Sequence, residues 1–164
     1  MLTRLLATDA SAIRLFQRLV LGLVILPHGL QKTIGLFGGY GFTGTMGFLT
    51  GMAGLPWAIA VLVVLAESLG AAALVVGLFS RVTALGIAAV MVGAAVTSHL
   101  PHGFFMNWTG TQGGEGFEYH LLALALALPI VVAGGGAASV DGWLASKLEA
   151  PRTGNALAGR PVRA

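Results

Sequence analysis

The chain contains no cysteine. That excludes disulfides, thiolate nucleophiles, thiolate-held iron–sulfur clusters and covalently attached c-type haem. Charge is almost as scarce. Nine Lys and Arg and six Asp and Glu make up 9% of 164 residues, against about 25% in an ordinary soluble domain. Charge this sparse excludes a soluble globular enzyme and a disordered chain. The pI of about 10.0 does not signal nucleic acid, because the basic residues lie at the ends of apolar runs and in a tail rather than in one patch. What the chain has instead is apolar surface: 56% of residues are hydrophobic and the mean hydropathy is +0.87. The length fits a single domain.

A membrane helix needs about 20 mostly apolar residues. Four segments approach this, so the sequence predicts an all-α, integral membrane four-helix bundle. The first runs from Ile13 to Gln31, with its cleanest apolar stretch from Leu19 to Leu26. The second, Trp57 to Phe79, carries one charge, Glu67. The third, Val82 to Leu100, has no ionisable residue before His99, and the fourth, Tyr119 to Ala137, contains Pro129. Proline is tolerated inside a span where neighbouring helices satisfy the freed carbonyl, and it predicts a kink over 125–129. The basic start of the first segment suits a signal peptide. However, residues 26–32, Leu-Pro-His-Gly-Leu-Gln-Lys, hold no small-x-small cleavage site, so the segment is read as a retained helix.

Basic residues orient the spans. Arg4, Arg14 and Arg18 precede or open the first, Arg81 lies between the second and third, and Lys147, Arg152, Arg160 and Arg163 follow the fourth. The two longer loops on the other side hold only Lys32. The positive-inside rule therefore places both termini in the cytoplasm. The expected organisation is a cytoplasmic segment over 1–12, a four-helix domain over 13–143 and a basic, disordered tail over 144–164. An Ala/Gly/Val/Arg-rich composition adds a bacterial inner membrane as the location, with the lipid bilayer as first partner.

Both outer loops are rich in glycine. Residues 35–54 contain eight, and Phe42, Met46, Leu49 and Ala53 recur there at helical spacing, which predicts a short interfacial or re-entrant helix. Residues 101–117 add Phe104, Phe105, Trp108 and Phe117, an aromatic cap suited to the membrane surface. Residues 39–44, Gly-Tyr-Gly-Phe-Thr-Gly, match G-x-G-x-x-G, but no strand precedes them and the next acid lies inside a span, so they are a flexible loop and not a dinucleotide site.

The informative residues are the polar ones in or beside the spans. An ionisable group in hydrocarbon is costly, so it faces the bundle interior and invites a functional reading. Glu67 lies roughly 15 Å along its helix, near the midplane. It is placed to relay a proton, to pair with Lys32 or a histidine, or to clamp two helices by a structural hydrogen bond. His28 sits near the outer end of the first helix, with Gln31 and Lys32 on the same face. His99 ends the third helix, His102 follows Pro101, and Glu118, Tyr119 and His120 open the fourth. All four histidines thus fall in the outer half. His28, Gln31, Lys32, Glu67, His99, Glu118, Tyr119 and His120 form the candidate ligand pocket, with Glu67 and His28 as candidate catalytic groups. A quinone headgroup suits such a pocket, with His28, Lys32 and His99 near its carbonyls and Glu67 supplying protons. The alternatives are a metal on His99, His102, His120 and Glu118, and a b-type haem between His28 and His99. Proline between His99 and His102 removes the same-face helical pair that a metal usually takes. Small residues recur as Gly22 and Gly29, with Ile25 on the same face, and as Ala89, Gly93 and Thr97. They suit tight packing within the chain, or a homodimer face.

These motifs together resemble the DoxX family of small four-helix membrane proteins, over roughly residues 13–143. The resemblance rests on Arg18-x-x-x-Gly22, on His28-Gly29-Leu30-Gln31-Lys32, on Ala66-Glu67-Ser68-Leu69-Gly70 and on Gly77-Leu78-Phe79-Ser80-Arg81. It continues in residues 99–105, His-Leu-Pro-His-Gly-Phe-Phe, and in Gly116-Phe117-Glu118-Tyr119. A second glycine often follows Gly70 in the family; here it is Ala71. The family is named for its similarity to a membrane subunit of an archaeal thiosulfate:quinone oxidoreductase. The resemblance therefore implies a membrane oxidoreductase or a redox-complex subunit, with a redox partner chain. Distant relatives that serve as membrane cargo receptors or chaperones imply the alternative, a non-catalytic adaptor or assembly factor. Without cysteine, persulfide or dithiol chemistry within this chain is excluded.

Overall fold

The computed structural model describes residues 2–149. Seven helices follow in order: α1 (Leu2–Leu6), α2 (Ala12–Thr33), α3 (Gly41–Gly47), α4 (Trp57–Val76), α5 (Ser80–His102), α6 (Glu118–Ala133) and α7 (Val140–Glu149). Among the described residues there is no strand. Three helices, α2, α4 and α5, are long and apolar enough to cross a membrane. The fourth apolar segment is shorter than its hydropathy suggests. α6 has 16 residues, about 24 Å, against a hydrocarbon core of about 30 Å. It runs on through Pro129 and stops at Gly134, which has φ 87°; the run predicted to reach Ala137 is cut there by a backbone conformation that side chains disfavour.

Local chemistry sets the other boundaries. The Ser11 hydroxyl accepts from the Arg14 backbone N–H at 3.3 Å and caps α2, supplying one of the bonds a helix start lacks. After α2 the chain turns back on itself, and Gly39 packs against the backbone of Gln31. The short helix expected within 35–54 is present as α3, extended by a π-helical turn over Phe48–Met52. Its Met46 packs against Ala60 and Val64 of α4. Gly77, φ 73°, ends α4. Residues 144–149 of the expected tail belong to α7; the remainder of that tail lies outside the described residues.

One core joins α2, α4, α5 and α6. It is built from Leu21 and Ile25, Ala71 and Leu74, Ala84, Ile87, Ala88 and Met91, and Ala123, Ala127 and Ile130. Five of these are alanines. Small side chains let backbones approach, and close packing replaces the hydrophobic drive that lipid removes. The outward faces are apolar as well: Leu23, Leu62, Leu85 and Leu122 are all more than half exposed. A fold that is apolar within and without is suited to lipid. The small residues of α2 work inside this packing, since Gly22 abuts Ala71 and Val75, and Gly29 abuts Glu67 and Ser68. Those of α5 do not: Ala89, Gly93 and Thr97 face outward.

Candidate functional site

α4 and α5 each contain one π-helical turn, over Ala66–Gly70 and over Ala95–His99. Such turns are often found at functional positions. The first carries Glu67 and the second ends on His99, the two residues of these spans singled out by charge and by position.

Glu67 is 5% exposed. Lys32 of α2 donates from Nζ to its Oε2 at 2.5 Å. Gly29 makes this meeting possible, because a Cβ at that position would overlap the backbone carbonyl of Glu67. The Lys32 side chain is a quarter exposed and that of Glu67 6%, so the lysine is the less buried partner of the pair. Removing one partner of a buried pair leaves an uncompensated charge, which is the costly outcome.

Beside the pair runs a chain of rings. His28 of α2 lies 6.2 Å from Tyr119 of α6, centroid to centroid. Tyr119 lies 5.5 Å from His120, and His120 lies 4.2 Å from His99 of α5. Glu67 is near enough to act electrostatically on both His28 and Tyr119. Two polar atoms here are buried without a hydrogen-bond partner, the Tyr119 hydroxyl and His120 Nδ1. Buried polar groups are almost always bonded, so these two atoms have bonding capacity to offer. His99 Nδ1 lies 2.8 Å from the Glu115 carbonyl. A carbonyl only accepts, so Nδ1 carries the proton and Nε2 holds the lone pair of the neutral ring. His28 is exposed on the outside of the packing.

Six of the eight pocket candidates therefore gather: His28, Lys32, Glu67, His99, Tyr119 and His120. The other two bond elsewhere. Gln31 donates to the Phe37 carbonyl at 3.2 Å, and Glu118 accepts from the Trp108 indole at 3.3 Å. The four metal candidates are not assembled. His102 packs against Gly113 and Gly114, Glu118 faces Trp108, and among the described residues no three His, Asp or Glu side chains are placed to hold an ion. His28 and His99, the haem candidates, lie against different rings, Tyr119 and His120.

A second polar cluster, at the opposite end, is one that sequence reasoning missed. Arg18 is 1% exposed. It donates to five carbonyls: Leu74 and Val75 at the end of α4, and Gly135, Ala137 and Ala138 in the turn after α6. Asp141 of α7, also 1% exposed, accepts from the Phe79 and Ser80 N–H groups at 2.7 Å each, at the start of α5. Arg81 bonds the carbonyls of Ala7, Val131 and Val132. Arg18 and Arg81 read as topological charge, which hid their bonding role. One signal was available: Arg18 falls inside the predicted first span and not before it, where a charge needs partners. Asp141 offered another, as the first acid after the fourth apolar run.

Residues 13–100 match the family model described as DoxX. No curated protein and no solved structure matches the chain.

Proposed function

The chain belongs to the DoxX family, and on that premise we propose that it is a four-helix, multi-pass protein of the bacterial inner membrane whose loop end binds a quinone-like headgroup as part of a redox complex. In this reading α2, α4, α5 and α6 all cross or enter the bilayer, with 13–143 as the functional domain and both termini cytoplasmic. The short α6 then sits in locally thinned lipid or tilts little.

The observation that carries the ligand reading is the pair of unspent polar atoms, the Tyr119 hydroxyl and His120 Nδ1, beside the Lys32–Glu67 pair. A quinone carbonyl needs hydrogen-bond donors in a setting reachable from lipid. Tyr119 supplies an O–H, and His28 supplies a ring on the outer face. Bound there, a quinone would bring two-electron, two-proton redox chemistry. The chain's own part is to hold the headgroup at Tyr119 and to exchange protons through the adjacent Lys32–Glu67 pair. Gln31 and Glu118 are left to organise the loops.

A second reading has its own support. Direct contact of Glu67 with Lys32 suits a helix clamp, and the exposed loop aromatics Phe105 and Trp108 suit a protein partner. The chain is then an adaptor or assembly factor, alone or as a homodimer.

The test is purification in mild detergent and mass spectrometry of a denatured extract. Stoichiometric quinone that is lost in Tyr119→Phe and Glu67→Gln supports the first reading. A ligand-free protein whose Glu67→Gln variant is only less stable supports the second. Orientation is readable separately, since the cysteine-free chain gives no background. An impermeant maleimide should label Thr109→Cys on intact cells and Ser146→Cys only after the membrane is opened.

A further inference from the structure

The end of the fold away from the candidate pocket presents a different surface. A shallow cavity of about 360 Å³ lies between residues 8–10, the turn 136–139 and the start of α7. Trp143 forms one wall and is 60% exposed. Asp9, which also lines it, pairs with Arg14, and Arg14 in turn abuts Gly136. α7 continues past the cavity with Lys147 and Leu148 exposed, and α1, which packs on α7, exposes Leu2 and Arg4. The two short helices therefore show tryptophan and leucine together with basic side chains, directly beyond the ends of the membrane-length helices.

Charge singles out one kind of occupant. Among the described residues this end holds five basic residues, Arg4, Arg14, Arg18, Arg81 and Lys147, against the acids Asp9, Asp141 and Glu149. Arg18 and Arg81 are spent on backbone carbonyls, which leaves Arg4 and Lys147 as the exposed cations. The sequence after α7 adds Arg152, Arg160 and Arg163 with no acid. Of those acids, Asp9 is engaged by Arg14 and Asp141 is buried on backbone N–H groups. Tryptophan and leucine beside basic residues, on a helix outside the spans, is the composition of an interfacial segment.

We propose that the α1–α7 face, with the cavity at Trp143, docks the headgroups of anionic phospholipids, so that the protein selects phosphatidylglycerol-type lipid over zwitterionic lipid at this end. Trp143 sits at headgroup depth, and the exposed Arg4 and Lys147 meet the phosphates. The inference needs neither the quinone reading nor an assignment of the two ends to the two sides of the membrane.

A single-tryptophan form, Trp57→Phe with Trp108→Phe, reports on Trp143 alone. It is reconstituted in vesicles that mix phosphatidylcholine with phosphatidylglycerol, one of the two brominated along its chains. Each basic residue at a membrane surface favours anionic lipid on the order of fivefold. Brominated phosphatidylglycerol should therefore quench Trp143 severalfold more effectively than brominated phosphatidylcholine. Arg4→Gln with Lys147→Gln, or 0.5 M salt, should bring the ratio toward one. Equal quenching by the two lipids, or no quenching by either, overturns the proposal. Should the tryptophan replacements unfold the protein, the unaltered chain is released from equimolar mixed micelles and weighed under native conditions. Adducts of phosphatidylglycerol in excess support the proposal, and equal adducts overturn it.

Discussion

The two ends of the fold handle buried charge in different ways. At the termini end, Arg18, Asp141 and Arg81 give their bonds to backbone groups of other elements. That end is a staple. At the loop end, one ion pair joins α2 to α4, beside the Tyr119 hydroxyl and His120 Nδ1, which lack partners; at the termini end the Ser80 hydroxyl and Arg14 Nε lack them too. Burial alone does not mark a functional residue. A buried charge whose bonds all go to main chain is explained by the fold itself. A buried donor or acceptor with bonds unspent, found at both ends, marks bonding capacity and is not by itself a ligand site.

Breaking the staple should produce the largest effect. Arg18→Ala removes the donor to five carbonyls, and losing a buried, fully bonded charge costs about 3–5 kcal/mol. Thermal melting in detergent should show most of the folded protein lost. Arg18→Lys should rescue little, because an ammonium cannot span the planar fork of acceptors. A variant that melts like the parent would mean the two ends do not differ in kind.

Next comes Gly29→Ala. Its Cβ would overlap the Glu67 carbonyl, pushing α2 off α4 at a cost of about 1–3 kcal/mol. The same variant should lose the Lys32–Glu67 pair, seen as loss of any further effect from Lys32→Met in a double-mutant cycle.

Glu67→Gln should cost less than Arg18→Ala, because the Lys32 side chain is a quarter exposed and its ammonium can turn to water. We expect about 1–3 kcal/mol, with Lys32→Met recovering part of it in the double variant. Full additivity of the two changes would show that the pair is not a unit.

The smallest effect sharpens the comparison most. Tyr119→Phe removes a buried hydroxyl with no partner, so the lipid-reconstituted protein should melt within about 1 kcal/mol of the parent or slightly above it. A loss as large as that from Glu67→Gln would show the hydroxyl to be bonded, and the loop end to be a second staple.

Much of this was legible in the chain. Hydropathy located α2, α4 and α5 within a few residues, because a long apolar run has little choice but to be helical in lipid. The rise of α6 was legible and its end was not, since Gly134 stops it by a left-handed backbone that hydropathy does not register. Glu67 stood out as the lone charge of its span, and pairing with Lys32 was among the partners its position allowed. The meeting of His99 with His120 followed from their shared end. What could not be read was rotation. A π-helical turn shifts every later residue around the helix axis, so the faces of α4 beyond Ala66 and of α5 beyond Ala95 escape a 3.6-residue reading. Arg18 escaped for another reason: a basic residue near a span end looks like an orientation signal whether or not its side chain has gone inward.

The staple also has an order in time. The acceptors of Arg18 lie 56 and 57 residues downstream, in α4, and 117 to 120 residues downstream, in the turn after α6. A chain made from its N-terminus therefore inserts its first helix before most of those acceptors exist. Until residues 135–138 have been synthesised, the guanidinium must stay at the level of the headgroups, with its helix displaced toward that side. Its inward step is thus among the last events of biogenesis. A nascent chain stalled after α5 would present α2 in a different depth register from the finished protein.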